Sequence, residues 1–253
     1  MRSFTEGAMN SERRPIAEIV QGGLKTVLAA AFLAAVAAGP RVWAAGGQGG
    51  APGQFLSWGA GARSMGMGKA FTAVADDASA TYWNPAAMVQ MERKELQAMH
   101  VSLFEDTSFD FVSYVHPTAR AGTLGLNFTR LVSGGFEKIA ITLDPTSQEI
   151  VKLQKLGDFS DINQAYGISY GRQFVENMSI GVTGKVINHT IDDFRQNFFS
   201  LDAAFFAKEL IPHYRLALMA QNVVTQVSGE TDDKLPLTLR VGHGLGLRRV
   251  HQQ

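Results

Sequence analysis

The sequence predicts an all-β protein, an antiparallel transmembrane β-barrel that follows a glycine- and alanine-rich segment with short helices. After Arg93, apolar residues alternate with small or polar residues in about eight segments, which is typical of strands that have one apolar face. The lengths of these segments match the roughly 9 to 11 residues that a tilted strand needs to cross a bilayer. The connections between the segments also alternate between short and long, as in outer-membrane barrels.

Residues 1–44 have the features of a secretory signal peptide with an extended n-region. An apolar run from Val27 to Ala38 follows Lys25, and a small-residue cleavage site ends at Ala44. The run is shorter than the about 20 apolar residues of a transmembrane helix. We therefore expect an exported protein of the bacterial outer membrane; the alternative interpretation is a buried alanine-rich helix.

Composition argues against several classes of function. The net charge is zero, which argues against a nucleic-acid binder that relies on basic patches. There is no cysteine, which excludes disulfides and thiolate metal sites. The six histidines lack paired-ligand spacing, and no G-x-S-x-G motif is present. We expect no enzyme, no cofactor and no metal site.

Residues 45–93 form the leader and the glycine-rich segment, which contains GAGARSMGMGKAF. A phosphate-binding loop would need glycine five residues before the Gly68-Lys69 pair and Ser or Thr after it, but Arg63 and Ala70 stand there. The glycines are Gly59, Gly61, Gly66 and Gly68. We interpret the segment as one that folds tightly inside a barrel mouth.

Residues 94–253 contain the strands, and QAYGISYGRQF shows their two faces most clearly. Tyr166 and Ile168 share an apolar face, whereas Gly167 and Ser169 share a face of small residues. The small, polar face also carries the charged candidate lumen-facing residues Lys185, Asp202 and Arg240. Because buried charges must be paired, this face is predicted to border water or a plug.

The connections 116–122, 174–178 and 209–214 are predicted to be short turns. The connections 132–162, 188–198 and 223–235 are predicted to be longer polar loops. A soluble sandwich would share the alternation, so a soluble periplasmic β-sandwich that acts as a binding module is the alternative.

The run GAGARSMGMGKAFTAVADDASATYWNPAAM resembles the N-terminal signature of the PorV/PorQ proteins and their FadL-like outer-membrane relatives, and LPLTLRVGHGLG resembles one of their strands. The resemblance implies a monomeric barrel of fourteen strands with an N-terminal hatch, whose motif falls on Asn84, Pro85 and Ala86. Local physics agrees, because Pro85 sets up a first helical turn that Asn84 can cap.

With about eight strands, the chain departs from that pattern and is interpreted as C-terminally truncated; a non-functional truncated product is a further alternative. The resemblance implies passage of hydrophobic solutes or docking of proteins exported by type IX secretion. The expected partners are outer-membrane lipid and hydrophobic small molecules or exported proteins, and no nucleic acid.

Overall fold

The fold is described from a computed structural model, which covers residues 52–118, 120–143, 150–228 and 235–246. These residues belong to one compact unit, Gly49–Gln253. The predicted signal peptide lies outside the described residues.

Eight antiparallel strands form one curled half-barrel sheet, so the predicted all-β class is confirmed. Each strand pairs with the next along the chain, in the order β1 to β8. The strands are β1 (Glu95–Ser102), β2 (Thr107–Thr118), β3 (Gly122–Leu143), β4 (Ile150–Val175), β5 (Met178–Ile191), β6 (Phe194–Ile211), β7 (Tyr214–Ser228) and β8 (Thr238–Leu245).

In the part of the chain from residue 52 onward that is described, four short helical turns precede the sheet. Two are α-helical, α1 (Ala62–Gly66) and α2 (Ala80–Trp83), and two are 3₁₀ turns, Gln54–Ser57 and Pro85–Gln90. β1 then begins at Glu95, two residues beyond the change of sequence pattern at Arg93.

The predicted alternation is confirmed, and the apolar face is the exposed one. In β4, Ile168 is 67% exposed while the adjacent Ser169 is fully buried. We call the face of Ile168 the outer face and the face of Ser169 the inner face. Exposed apolar residues of the outer face include Leu96, Leu124, Leu126, Tyr166, Ile168, Ile180, Val182, Val186, Phe199, Leu201, Leu239 and Val241.

From β2 to β6, the strands extend progressively further beyond a common cross-strand row toward the short turns. This row consists of the paired residues Asp110, Arg130, Gln164, Asn188 and Asn197. From this row to the last paired residue before the turn, the distance is 8 residues in β2, 11 in β4 and 14 in β6, which end at Thr118, Val175 and Ile211. Allowing for the bulges in these strands, a common plane for the turns implies a strand tilt of about 35°.

Three predicted loops are wrong. The region 132–162 is mostly an extended hairpin, because apolar residues continue the pairing of β3 with β4 through several bulges. Phe136 stacks on Phe159 at a centroid distance of 5.3 Å, and Lys155 pairs with Glu137 at 2.8 Å.

The other two loops also contain strand. Within 188–198, only Asp192 and Asp193 form the turn, with Asp192 at φ 51°. In the region 223–235, β7 continues to Ser228. Among the described residues, none of the helices has the length and apolarity to span a membrane.

Candidate functional site

Residues 54–91, which we call the inner segment, pack against the inner face of the sheet. Phe71, Trp83 and Met88 are almost completely buried there. The Trp83 indole donates to the Ala60 carbonyl at 2.6 Å, and the Tyr82 hydroxyl bonds the Leu56 carbonyl. Burial raises the pKa of the Tyr82 phenol, so this hydroxyl remains a neutral donor. The aromatic pair therefore ties the beginning of the segment to its middle.

The predicted Asn84-Pro85-Ala86 motif forms the start of the second 3₁₀ turn. The Asn84 side chain accepts from the Ala86 N–H at 3.1 Å, with Pro85 in the first turn, as the capping argument predicted. The same side chain donates to the Thr72 carbonyl at 3.0 Å. Asn84 is fully buried, so it fixes this turn to the preceding part of the segment.

Glycines on the inner face let the motif approach the sheet. A Cβ at Gly171 would come within 2.5 Å of the Pro85 carbonyl oxygen, and one at Gly181 would overlap the Ala86 nitrogen. A Cβ at Gly125 would meet Thr81 at 2.6 Å. These glycines are required for close approach. The sequence predicted only that this face of small residues borders water or a plug.

The four glycines singled out in the inner segment have different surroundings. Gly59 and Gly61 have φ of 94° and 91°, and a side chain at either would crowd a neighbour, Met65 or Ser79 respectively. Gly68 also has positive φ, but nothing lies within 4 Å of a Cβ there or at Gly66. Only the first pair is held by both conformation and packing.

Two of the three candidate lumen-facing charges meet on the inner face. Lys185 Nζ lies 2.9 Å from Asp202 Oδ1, and both side chains are buried. Lys185 also donates to Asn222 Oδ1 at 3.1 Å, and the Asn222 N–H donates to Asp202 at 2.9 Å. Ser200 adds a hydrogen bond to Asn222 at 2.8 Å. The buried ion pair is thus surrounded by hydrogen-bonding partners, as such pairs require.

Arg240 stands apart from that pair. Its guanidinium lies 5.6 Å from the Tyr82 ring centroid and 5.1 Å from that of Trp83, which are cation–π distances. It therefore connects β8 to the inner segment.

Sequence reasoning missed Asn222, which joins the ion pair from a bulged part of β7. Its φ of 59° is a left-handed conformation that asparagine tolerates better than most residues. An asparagine within a strand pattern was the available signal.

Two cavities open where the inner segment meets the edge strands. One of about 680 Å³ lies beside β1 and is mainly apolar, with Trp58, Met65, Met99, Val101 and Phe109 in its wall. The other, of about 550 Å³, lies beside β8 and includes Lys69 and Arg240. In the part of the chain that the structure describes, no group of three or more acidic or histidine side chains could hold a metal ion.

Comparison with known protein families identifies the family of this chain. The sequence model of the uncharacterised protein family UPF0164 matches residues 31–187. The chain belongs to this family. Nothing matches it among curated proteins or solved structures.

The expected relationship to the PorV/PorQ proteins is therefore wrong, because the family that matches is a different one. The physical reason is that the quoted motif reports local structure. An Asn-Pro cap and glycines that permit close packing serve any segment that lies on a sheet.

We predict that Gly181→Ala destabilises the protein, whereas Gly184→Ala does not. A Cβ at Gly181 would overlap the backbone at Ala86. Gly184 lies on the opposite face of the same strand, where the nearest neighbour of a Cβ would be the Leu201 side chain at 3.7 Å. Overpacking of this kind costs about 1–3 kcal/mol. Denaturant unfolding of both variants checks this, and equal stabilities would contradict the backbone contact.

We predict that Asp202→Asn lowers the free energy of unfolding by about 3–5 kcal/mol, because it leaves the Lys185 charge buried without its carboxylate. The double variant Lys185→Met with Asp202→Asn should recover much of that loss. Chemical denaturation of the single and double variants measures both effects. A double variant that is as unstable as the single one would show that the ion pair is not the cause.

Proposed function

We propose that the sheet is a wall of a bacterial outer-membrane protein, with its outer face in contact with lipid. The observation that supports this is the burial pattern, in which large apolar side chains are exposed across the sheet, while the opposite face buries small residues, the Lys185–Asp202 ion pair and the aromatic residues that contact the inner segment. An apolar face of this extent is unfavourable in water and is typical of a membrane or protein contact. Transmembrane barrels have this distribution, apolar outside and polar inside.

The dimensions of the apolar surface support lipid as the contact. In β5, four successive outer positions from Ile180 to Val186 are exposed or half-buried and carry only apolar residues or glycine. They span about 20 Å along the strand and about 16 Å along the normal at the inferred tilt, a large part of the roughly 25 Å apolar band of outer-membrane barrels.

A soluble β-sandwich is the alternative, and it would need a second sheet on the outer face. Among the described residues, no element lies against that face, and the inner segment packs on the opposite one. The membrane contact therefore explains the burial pattern without another layer.

We propose hydrophobic solutes as the ligands of this wall. The support is the cavity of about 680 Å³ beside β1, where Trp58 and Phe109 stack at a centroid distance of 6.2 Å. Its volume and mainly apolar walls suit a small apolar molecule. The docking of exported proteins is not retained, because it depended on the resemblance that the family comparison overturned.

The membrane contact can be tested with single cysteines, since the chain has none of its own. We predict that nitroxide labels at Ile168→Cys and Val182→Cys, in protein reconstituted into lipid vesicles, collide with oxygen more often than with a water-soluble nickel chelate. A label at Lys152→Cys, in the extended hairpin, should show the reverse preference. Nickel access at all three positions would place the outer face in water and reject the membrane proposal.

The solute proposal predicts that an apolar quencher of tryptophan fluorescence changes the emission of the wild-type protein, in which Trp58 lines the cavity. Met99→Trp would fill the cavity and should weaken quencher binding at least about tenfold, as expected when a bulky side chain occupies the site. Val112→Trp, on the outer face of the adjacent strand, is the matched control. For Met99→Trp, binding is followed by displacement of a radiolabelled quencher, and unchanged binding would reject this cavity.

A further inference from the structure

The outer face carries a polar cluster that the apolar surface does not explain. His100, Asp110, Arg130 and Gln164 occupy consecutive strands from β1 to β4, in a cross-strand row that continues through Asn188 and Asn197. On the turn side of this row, the next outer residues are apolar or aromatic. They are Ala98, Val112, Phe128 and Tyr166. The cluster therefore borders the apolar surface.

Arg130 lacks an ionic partner in this cluster. It lies directly opposite Asp110, but the Asp110 carboxylate bonds His100 Nδ1 at 2.6 Å instead. Among the described residues, no carboxylate lies within ion-pairing distance of Arg130, and its Nε is buried without a hydrogen-bond partner. A guanidinium beside an apolar surface is favourable when an anion meets it.

The depth of Arg130 indicates where that anion would lie. Arg130 is 8 residues from Gly122, the last paired residue before the β2–β3 turn. At the inferred tilt, this places it about 20 Å above the turns along the membrane normal. With an apolar band of about 25 Å, it lies near the opposite membrane interface, where lipid headgroups are found.

A groove accompanies the arginine. A cavity of about 570 Å³ is lined by Arg130, His100, Asp110 and Gln164 at its polar part and by Ala98, Val112 and Phe128 at its apolar part. The Phe128 ring lies 5.0 Å from that of Tyr166, forming an aromatic boundary between the two parts. This arrangement matches a molecule that is anionic at one end and apolar at the other.

We propose that Arg130 binds the phosphate of a membrane lipid and that the first part of its acyl chain lies along Val112 and Phe128. Arg130 donates charge-assisted hydrogen bonds to the phosphate oxygens, while the His100 contact keeps the Asp110 carboxylate occupied. The inference rests on the proposed membrane location and adds the class of lipid that this surface recognises.

The test measures lipid retention by native mass spectrometry of the full chain released from detergent. The probes are phosphatidylglycerol, diacylglycerol and inorganic phosphate, and the variants are Arg130→Gln and Arg130→Lys. We expect Arg130→Gln to retain phosphatidylglycerol about tenfold more weakly, as the loss of a charge-assisted bond implies, and Arg130→Lys to lose less. Diacylglycerol should bind the wild type and Arg130→Gln equally, because it lacks the phosphate.

Arg172→Gln is the matched control, since Arg172 is an exposed outer-face arginine near a short turn. Unchanged phosphatidylglycerol retention in this control, with a loss in Arg130→Gln, supports the site. Equal losses in both variants, or none in either, overturn it. Competition by millimolar inorganic phosphate would also overturn the lipid assignment, because it would indicate a free-phosphate site. If the nitroxide labels lie in lipid while Arg130→Gln binds normally, only this inference fails.

Discussion

The structure depends most on the close approach of the Pro85-Ala86 backbone to Gly171 and Gly181. Two polypeptide backbones can pack this closely only where no Cβ intervenes, and any other residue at these positions would push the inner segment away. Ser179 completes the contact by donating to the Ala86 carbonyl at 2.7 Å. The small residues of the inner face are therefore a docking surface for the chain's own N-terminal part.

This arrangement divides the large apolar residues of the sheet between its two faces. The inner segment supplies much of the buried apolar volume, including Phe71 and Trp83, and strand residues such as Phe111 add to it. Other large side chains of the strands point away from this core. Full burial of a Leu or Ile side chain is worth about 1.5–3 kcal/mol, and residues such as Ile168 and Leu239 obtain little of it within the described residues. A surrounding apolar phase, such as the lipid contact proposed above, would supply the missing term.

The sequence predicted the existence of the strands and the division of their faces, because period-two alternation encodes both directly. It did not predict where strands end. Alternation weakens around Gly134 and Gly135, yet bulges carry the pairing of β3 and β4 onward, and their positions depend on both strands together. The charged candidates illustrate the same limit: the pattern placed Lys185, Asp202 and Arg240 on one face, but their partners depend on the three-dimensional fold.

The anchoring of the inner segment also limits how a solute could pass. Asn127 and Ser169 donate to the Thr81 carbonyl, at 3.3 Å and 3.4 Å, and the glycine contacts lie within a few residues of these bonds. Removing the segment from the sheet would break these contacts and expose its buried aromatic residues to water. A path around it requires much less, since the apolar cavity beside β1 already separates Trp58 and Met65 from Val101. A solute that uses this wall would therefore move along the β1 edge while the inner segment stays in place.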